Sequence, residues 1–370
     1  MGKLWAYLRA HPLSFLLVAL PLALIAEFAN FSPFWVFVFA AVGVIPMAGY
    51  IGEATEALAE HTGPKIGGLL NATLGNAAEL IITLVAVRAG LLEVVKASIT
   101  GSILGNLLLV MGVSMVVGGS RHGIQTFDRR QTGNHAILLT LSILALVIPS
   151  LFSHSIGPET SVQVEALSLG VAAVMIVLYV LGVLYSLRIS NHEKKSNKLA
   201  DAPLAYMPTQ KGHHVGWTVR KSVIVLALAT LGVVVLSEML VGAVEHVVES
   251  IGLSEFFLGI ILIPIVGNVA EHLVAVQVAS RNQMDLSVEI AISSSLQIAL
   301  FVAPLLVFIS LMMGHPLTLI FNPFELVALG AGVLIAALVS TDGESNWLEG
   351  ATLLAVYLIL GIAFFLLPAV

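Results

Sequence analysis

Eleven apolar stretches of about twenty residues run through the chain, at approximately 13–31, 34–51, 66–87, 92–118, 134–152, 161–187, 221–243, 257–279, 286–313, 322–340 and 347–369. About 20 apolar residues is the length an α-helix needs to cross the hydrocarbon core of a bilayer. There a helix satisfies its own backbone, which an open loop cannot do. The composition agrees: of 370 residues, 58% are hydrophobic and only 10% charged, against about a quarter charged in a soluble domain. A water-soluble globular domain and a disordered chain are thereby excluded. A net charge of −6 leaves no basic surface for nucleic acid. The expected fold is an all-α polytopic membrane protein with about eleven transmembrane helices, its surroundings the lipid bilayer.

The chain has no cysteine, which rules out disulfides, thiolate metal ligands and a cysteine nucleophile. The apolar run from Leu13 to Ala29 is long for a signal peptide's core of about 7–15 residues, so it reads as an uncleaved first span. With the N-terminus in the cytoplasm, fourteen of the sixteen basic residues fall inside and only Arg88 and Lys96 outside. That asymmetry predicts a cytoplasmic N-terminus and an external C-terminus. The stretch 188–220 is the one sizeable hydrophilic segment, and it carries His192, Glu193, Lys194, Lys195, His213 and His214. It reads as a solvated cytoplasmic linker between two halves.

Displacing the chain by 192 residues lays one half on the other. Gly67 then falls on Gly259, and Gly75-Asn76-Ala77-Ala78-Glu79 on Gly267-Asn268-Val269-Ala270-Glu271. Without a gap, Glu53 meets Glu245 and Ser102 meets Ser294. Apolar coincidences between membrane helices are cheap; coincidences of Gly, Asn, Glu and Ser are not. The two copies lie five spans apart, so they cross the membrane in opposite directions. The expected organisation is an extra N-terminal helix at 1–32, a five-helix repeat at 33–187, the linker at 188–220, and an inverted five-helix repeat at 221–370. Secondary transporters are often built this way, with a binding site near the midplane where the repeats meet.

Glu79 and Glu271 each lie deep in an apolar run. A charge at that depth costs roughly 2.5–3.5 kcal/mol on insertion scales, which two residues placed by symmetry justify by holding a ligand. Asn76 and Asn268 precede them by three residues, on the same helical face. Gly75 and Gly267, with Asn71 in one copy and Pro264 in the other, suggest that both helices are interrupted or loosely wound there. Carboxylate, amide and freed carbonyl oxygens together suit a hard cation such as Ca²⁺. The expected metal ligands are therefore Glu79, Glu271, Asn76 and Asn268.

A second polar cluster follows each Gly-Asn, with Ser102 and Ser294 each 26 residues after its Asn: Thr100-Gly101-Ser102-Ile103-Leu104-Gly105-Asn106, and Ser293-Ser294-Ser295-Leu296-Gln297. Buried amides need partners, so Ser102, Asn106, Ser294 and Gln297 are expected to line the ion pathway or transfer protons. Glu53 and Glu245, each 26 residues before the central glutamate of its copy, are vestibule candidates at opposite membrane faces. Glu27, in the first span, has no counterpart.

These motifs resemble those of the cation/proton exchangers, the CAX branch of the calcium/cation antiporter superfamily. Gly75-Asn76-Ala77-Ala78-Glu79-Leu80-Ile81, with Gly101 to Leu104 and Asn106 to Leu109, is similar to the first repeat of that family. Gly267 to His272, with Ser294 to Leu300, is similar to the second. Sodium/calcium relatives tend instead to carry Gly-Ser or Gly-Thr with Pro-Glu. Val269 in place of alanine and Ser293 in place of glycine are departures from the usual pattern.

The resemblance implies Ca²⁺/H⁺ antiport, with Ca²⁺ and H⁺ as transported substrates and no cofactor. Other divalent cations are further candidate substrates, and a homo-oligomer is compatible with the family. A prokaryotic plasma (inner) membrane is the expected location. A Na⁺-coupled exchanger of the same superfamily is the nearest alternative, and a cation channel a more distant one. The spans hold no Gly-x-Gly-Asp, no His-Glu-x-x-His and no serine/histidine pair in neighbouring helices, so an intramembrane enzyme is not expected.

Overall fold

The computed structural model describes residues 12–193 and 216–367. Lys194, Lys195, His213 and His214 of the linker lie outside the described residues, as do Lys3 and Arg9. After a short 3₁₀ turn, α1 (Ala19–Phe28) opens a nearly all-helical chain. The first half continues with α2 (Pro33–Leu74), α3 (Ala77–Arg88), α4 (Leu92–Leu104), α5 (Met111–His122), α6 (Arg129–Ile156) and α7 (Val162–Glu193). The second half has α8 (Val219–Gly242), α9 (Val244–Ile251), α10 (Ile263–Ala279), α11 (Met284–Gln297), α12 (Ala303–Met312), α13 (Pro323–Val339) and α14 (Trp347–Leu366).

Eight of the described helical stretches are long and apolar enough to cross a membrane, and two shorter apolar ones cover Leu13–Phe28 and Pro323–Val339. The remaining expected span, 66–87, is not one helix. Its first part is the tail of α2, which bends at Gly63, where φ is 81° and ψ is 170°. Only glycine adopts that backbone readily. Its second part is α3, which starts afresh after a break at Gly75 and Asn76. The expected linker also begins later than residue 188, because α7 runs on to Glu193.

The two halves repeat element by element. Helices α4 and α11 start 192 residues apart, at Leu92 and Met284, and so do α5 and α12, at Met111 and Ala303. Between each pair lies a wider, π-type turn, at Gly105–Val110 and at Ile298–Val302. Such turns cluster at functional sites. The break expected in both copies is present only in the first. Helix α10 runs unbroken through Gly267 and Asn268, and the loose winding there lies earlier, in a third π-type turn at Leu258–Leu262 ahead of Pro264. Pro264 is the second residue of α10, directly after that turn, and having no N–H it cannot bond back to the preceding turn.

Contacts between loops sort them onto two faces, as spans that alternate in direction require. On one face β1 (Gln125–Thr126) pairs antiparallel with β2 (Glu344–Ser345), and Gln125 Nε2 donates to Asn282 Oδ1 at 2.9 Å. On the other, Arg88 meets Glu238 at 3.1 Å, and Lys96 meets Glu93 at 2.5 Å and Glu159 at 3.0 Å. The apolar flanks of α7 and α8 face outward, with Val174 and Leu228 largely exposed, as a lipid-facing surface requires.

Small residues bring the inner helices together, as is usual where no hydrophobic force drives packing. A Cβ on Gly101 of α4 would land on the carbonyl of Ile260, and one on Gly259 would lie 2.7 Å from the Ala97 Cβ. Gly112 and Gly350 face each other where α5 crosses α14. These crossings hold α4 and α10 close enough for short polar side chains to meet.

Candidate functional site

Two glutamates, one from each repeat, anchor a polar cluster in the middle of the helices. Glu79 lies in the first turn of α3, just past the break, and is 3% exposed. Glu271 lies in the unbroken α10 and is partly buried. Each accepts a hydroxyl from its own repeat: Ser102 donates to Glu79 Oε1, and Ser294 donates to Glu271 Oε2 at 2.8 Å. The serines stand at equivalent places on α4 and α11, 23 residues after their glutamates. Hydrogen bonds to an ionised acceptor are roughly twice as strong as neutral ones, so the pairing suits carboxylates.

The asparagines cross over. Asn268 of the second repeat donates through Nδ2 to Ser102 Oγ at 3.2 Å, and to the carbonyl of Pro264 at 3.1 Å. Asn76 of the first repeat presents Oδ1 to Ser294 Oγ at 3.3 Å and donates through Nδ2 to Gln297 Oε1 at 2.8 Å. Asn106 Nδ2 donates to Ser294 Oγ at 3.0 Å, while its Oδ1 lies 3.2 Å from His272 Nε2. Each repeat thus supplies an amide to the serine that serves the other repeat's glutamate. The network ties α3, α4, α10, α11 and the π-type turn at Gly105–Val110 into one centre.

One oxygen of that centre is unmatched. Glu79 Oε2 is buried and has no hydrogen-bond partner among the described residues. A buried carboxylate oxygen without a donor carries a desolvation penalty, which a bound cation or a proton removes. Among the described residues no three His, Cys, Asp or Glu side chains converge as a metal cluster. The two carboxylates and the amide and hydroxyl oxygens bonded around them are hard donors, which suit a hard ion.

Of the residues expected from sequence, Glu79, Glu271, Asn76, Asn268, Ser102, Asn106, Ser294 and Gln297 come together here. Glu53 is half-buried in α2 and Glu245 is exposed in α9. His272 is a member that the spacing did not single out, although it directly follows Glu271. Glu27 is exposed on α1.

A second buried acid, Glu325, was not anticipated and has a structural explanation. It is fully buried at the start of α13, where Oε2 accepts the Asn322 N–H at 2.8 Å and Oε1 accepts Thr100 Oγ1 at 3.1 Å. The spacing Asn322-Pro323-Phe324-Glu325 is that of a capping box, and it forms one. Both carboxylate oxygens already have donors, unlike those of Glu79.

Known proteins resemble the chain over nearly its whole length. A Ca²⁺/H⁺ antiporter of Aphanothece halophytica is 43% identical over 364 residues, covering 96% of each chain. The Ca²⁺/H⁺ antiporter ChaA of Bacillus subtilis is 44% identical over 356 residues, covering 95% of this chain and 99% of its own. A vacuolar calcium ion transporter of Schizosaccharomyces pombe is 37% identical, covering all of this chain and 88% of its own. Among solved structures, native YfkE superposes with a TM-score of 0.82 at 41% identity, covering 96% of this chain and all of that one. The H⁺/Ca²⁺ exchanger CAX shares the fold, with a TM-score of 0.71 at 16% identity and coverage of 96% and 91%. The family model for sodium/calcium exchanger proteins matches residues 32–188 and 221–366, the stretches that carry both copies of the motif. The chain belongs to the sodium/calcium exchanger family.

Proposed function

We propose that this protein is a secondary active antiporter that exchanges Ca²⁺ for H⁺ by alternating access. Glu79 and Glu271 are its shared binding groups, taking either the metal or protons. The observation that carries this reading is the pair of buried, serine-bonded glutamates contributed by inverted repeats, with Glu79 Oε2 left without a donor. Relatives named Ca²⁺/H⁺ antiporter at 43–44% identity over nearly the whole chain support the choice of ions.

The mechanism follows from competition. A divalent cation needs both carboxylates ionised, and protonation removes the charge that holds it. If the protein exchanges its two open states only when the pair is loaded with metal or with protons, transport of one ion requires return of the other. Each pH unit across the membrane then supplies about 1.4 kcal/mol per proton moved. The distribution of basic residues supports a cytoplasmic N-terminus and an external C-terminus, and in that orientation an inward proton gradient drives Ca²⁺ out of the cytosol. The whole chain then works as two five-helix repeats behind one extra helix, in a prokaryotic plasma membrane, without cofactor or enzymatic step. Ser102, Asn106, Ser294 and Gln297 line the pathway, and Glu53 and Glu245 attract cations to its two mouths.

The deciding experiment is ⁴⁵Ca²⁺ flux in vesicles of the full chain with an imposed pH gradient, with and without Na⁺. Uptake that follows the pH gradient and ignores Na⁺ is expected. Uptake that requires a Na⁺ gradient would replace this reading with a sodium-coupled one.

A further inference from the structure

The repeat symmetry of the centre fails at one place. Asn76 is engaged at both ends of its amide by α11: Nδ2 with Gln297 Oε1 at 2.8 Å and Oδ1 with Ser294 Oγ at 3.3 Å. Those partners stand three residues apart, on one face of the helix. Asn76 is also the last residue of the break, at the N-cap position of α3, and its side chain does not cap that helix. Its bonds to α11 therefore hold a helix start that has no cap of its own.

The second repeat has nothing equivalent. The position that mirrors Gln297 is Gly105, and a Cβ added there would meet no atom within 4 Å. Asn268 instead turns Nδ2 to the Pro264 carbonyl on its own helix and to Ser102. Its Oδ1 accepts none of the hydrogen bonds that tie this network, whereas Asn76 Oδ1 accepts from Ser294. A hard cation is bound through oxygen lone pairs, and the amide oxygen of Asn268 is the one that the network leaves out.

We propose that Gln297 is a positioning residue that makes the cation site asymmetric: it fixes Asn76 as a strut between the repeats and leaves Asn268 as the amide ligand. This rests on the reading of Glu79 and Glu271 as the cation's carboxylates. Ser294 sits where the asymmetry matters. Its single hydroxyl proton has two acceptors, Glu271 Oε2 at 2.8 Å and Asn76 Oδ1 at 3.3 Å.

The test measures Ca²⁺ binding by calorimetry on the full chain in detergent, and ⁴⁵Ca²⁺ flux in vesicles, for Gln297→Met, Asn76→Ala, their double variant, Asn268→Ala and Glu271→Gln. Methionine preserves the volume of Gln297 and removes its acceptor. Outer-shell partners of metal sites typically contribute 10- to 100-fold in affinity, so Gln297→Met is expected to weaken Ca²⁺ binding about tenfold. It should raise the KM for Ca²⁺ and leave the maximal rate nearly unchanged. The double variant should bind no worse than the weaker of its two parents, because both remove one strut. Asn268→Ala should lose more affinity than Asn76→Ala.

Multiplying losses in the double variant, equal losses in the two asparagine variants, or a lowered maximal rate at unchanged affinity would overturn the assignment. Should Gln297→Met fail to fold, the comparison of Asn76→Ala with Asn268→Ala decides alone. Glu271→Gln separates the two levels. Wild-type Ca²⁺ binding in that variant overturns the site reading and the strut with it, whereas lost binding beside an unaffected Gln297→Met overturns the strut only.

Discussion

At the scale of single residues, what makes Glu79 and Glu271 readable is the energy they violate. A carboxylate inside an apolar run is costly enough that its presence, twice and in register, implies a ligand. Glu79→Gln and Glu271→Gln each imitate a permanently protonated carboxyl. Each is expected to abolish Ca²⁺/H⁺ exchange while the protein still folds, and wild-type flux in either would remove that glutamate from the site. Burial alone would have misled, because Glu325 is more deeply buried than either. What separates it is hydrogen bonding: both of its oxygens have donors, from Asn322 and Thr100, and it closes a helix cap. Glu325→Ala should therefore lower thermal stability by about 1 kcal/mol or more, the usual effect of losing a cap, with Ca²⁺ affinity nearly unchanged in the folded fraction. A collapse of affinity at unchanged stability would instead place Glu325 in the pathway. The crossed pairing of Asn268 with Ser102 and Asn76 with Ser294 was not legible in the sequence. It depends on how four helices meet, and spacing along one helix carries no such information.

At the scale of elements, glycines look alike in the sequence and differ in the structure. Gly101 and Gly105 lie one turn apart in the same polar cluster. A Cβ on Gly101 would fall on the backbone carbonyl of Ile260 and close to Pro264, whereas one on Gly105 would meet nothing within 4 Å. Backbone cannot swing aside as a flexible side chain can. Gly101→Ala is therefore expected to destabilise by about 1–3 kcal/mol, the range for overpacking. Gly105→Ala should be neutral or stabilising by up to about 1 kcal/mol, the helix-propensity difference between the two residues. Thermal melts of the two detergent-solubilised variants check this, and equal behaviour would mean that α4 does not pack on the Leu258–Leu262 turn as described. The same elements show the limit of reading by repeat. Gly-Asn is present in both copies, yet α3 starts anew at the first while α10 runs straight through the second. Identical local sequences permit both conformations, and the packing around each copy selects one. Pro264 adds to the difference, since it follows the Leu258–Leu262 turn of the second copy while Ala72 stands at the mirrored position of the first.

At the scale of the whole molecule, the repeat was legible because its polar residues keep one register across the chain, and α4, α5, α11 and α12 keep it in space. Where the structure departs from the expected spans, at the bent α2 and the divided third span, a glycine or a Gly-Asn pair stands at the departure. The global consequence of bringing two carboxylates into one centre is a pH dependence that no isolated surface acid would give. Ca²⁺ binds the ionised pair, so loading the metal must expel any protons the pair holds. By linkage, the slope of Ca²⁺ affinity against pH equals the number of protons released. The affinity should therefore fall as pH is lowered from alkaline towards mildly acidic conditions, and protons should appear when Ca²⁺ is added. Two interacting carboxyls titrate as a pair, so the measurement yields macroscopic values of the pair and not of Glu79 or Glu271 alone. Surface acids cannot mimic the result, because ordinary exposed glutamates titrate near about 4.3 and are ionised throughout that range. Calorimetry in two buffers of different ionisation enthalpy counts the protons directly. In Glu271→Gln one of the two exchangeable carboxyls is gone, and whatever metal still binds should release fewer protons than wild type. A Ca²⁺ affinity that stays flat from pH 6 to 9, with no proton release, would refute the competition even in a protein shown to transport Ca²⁺.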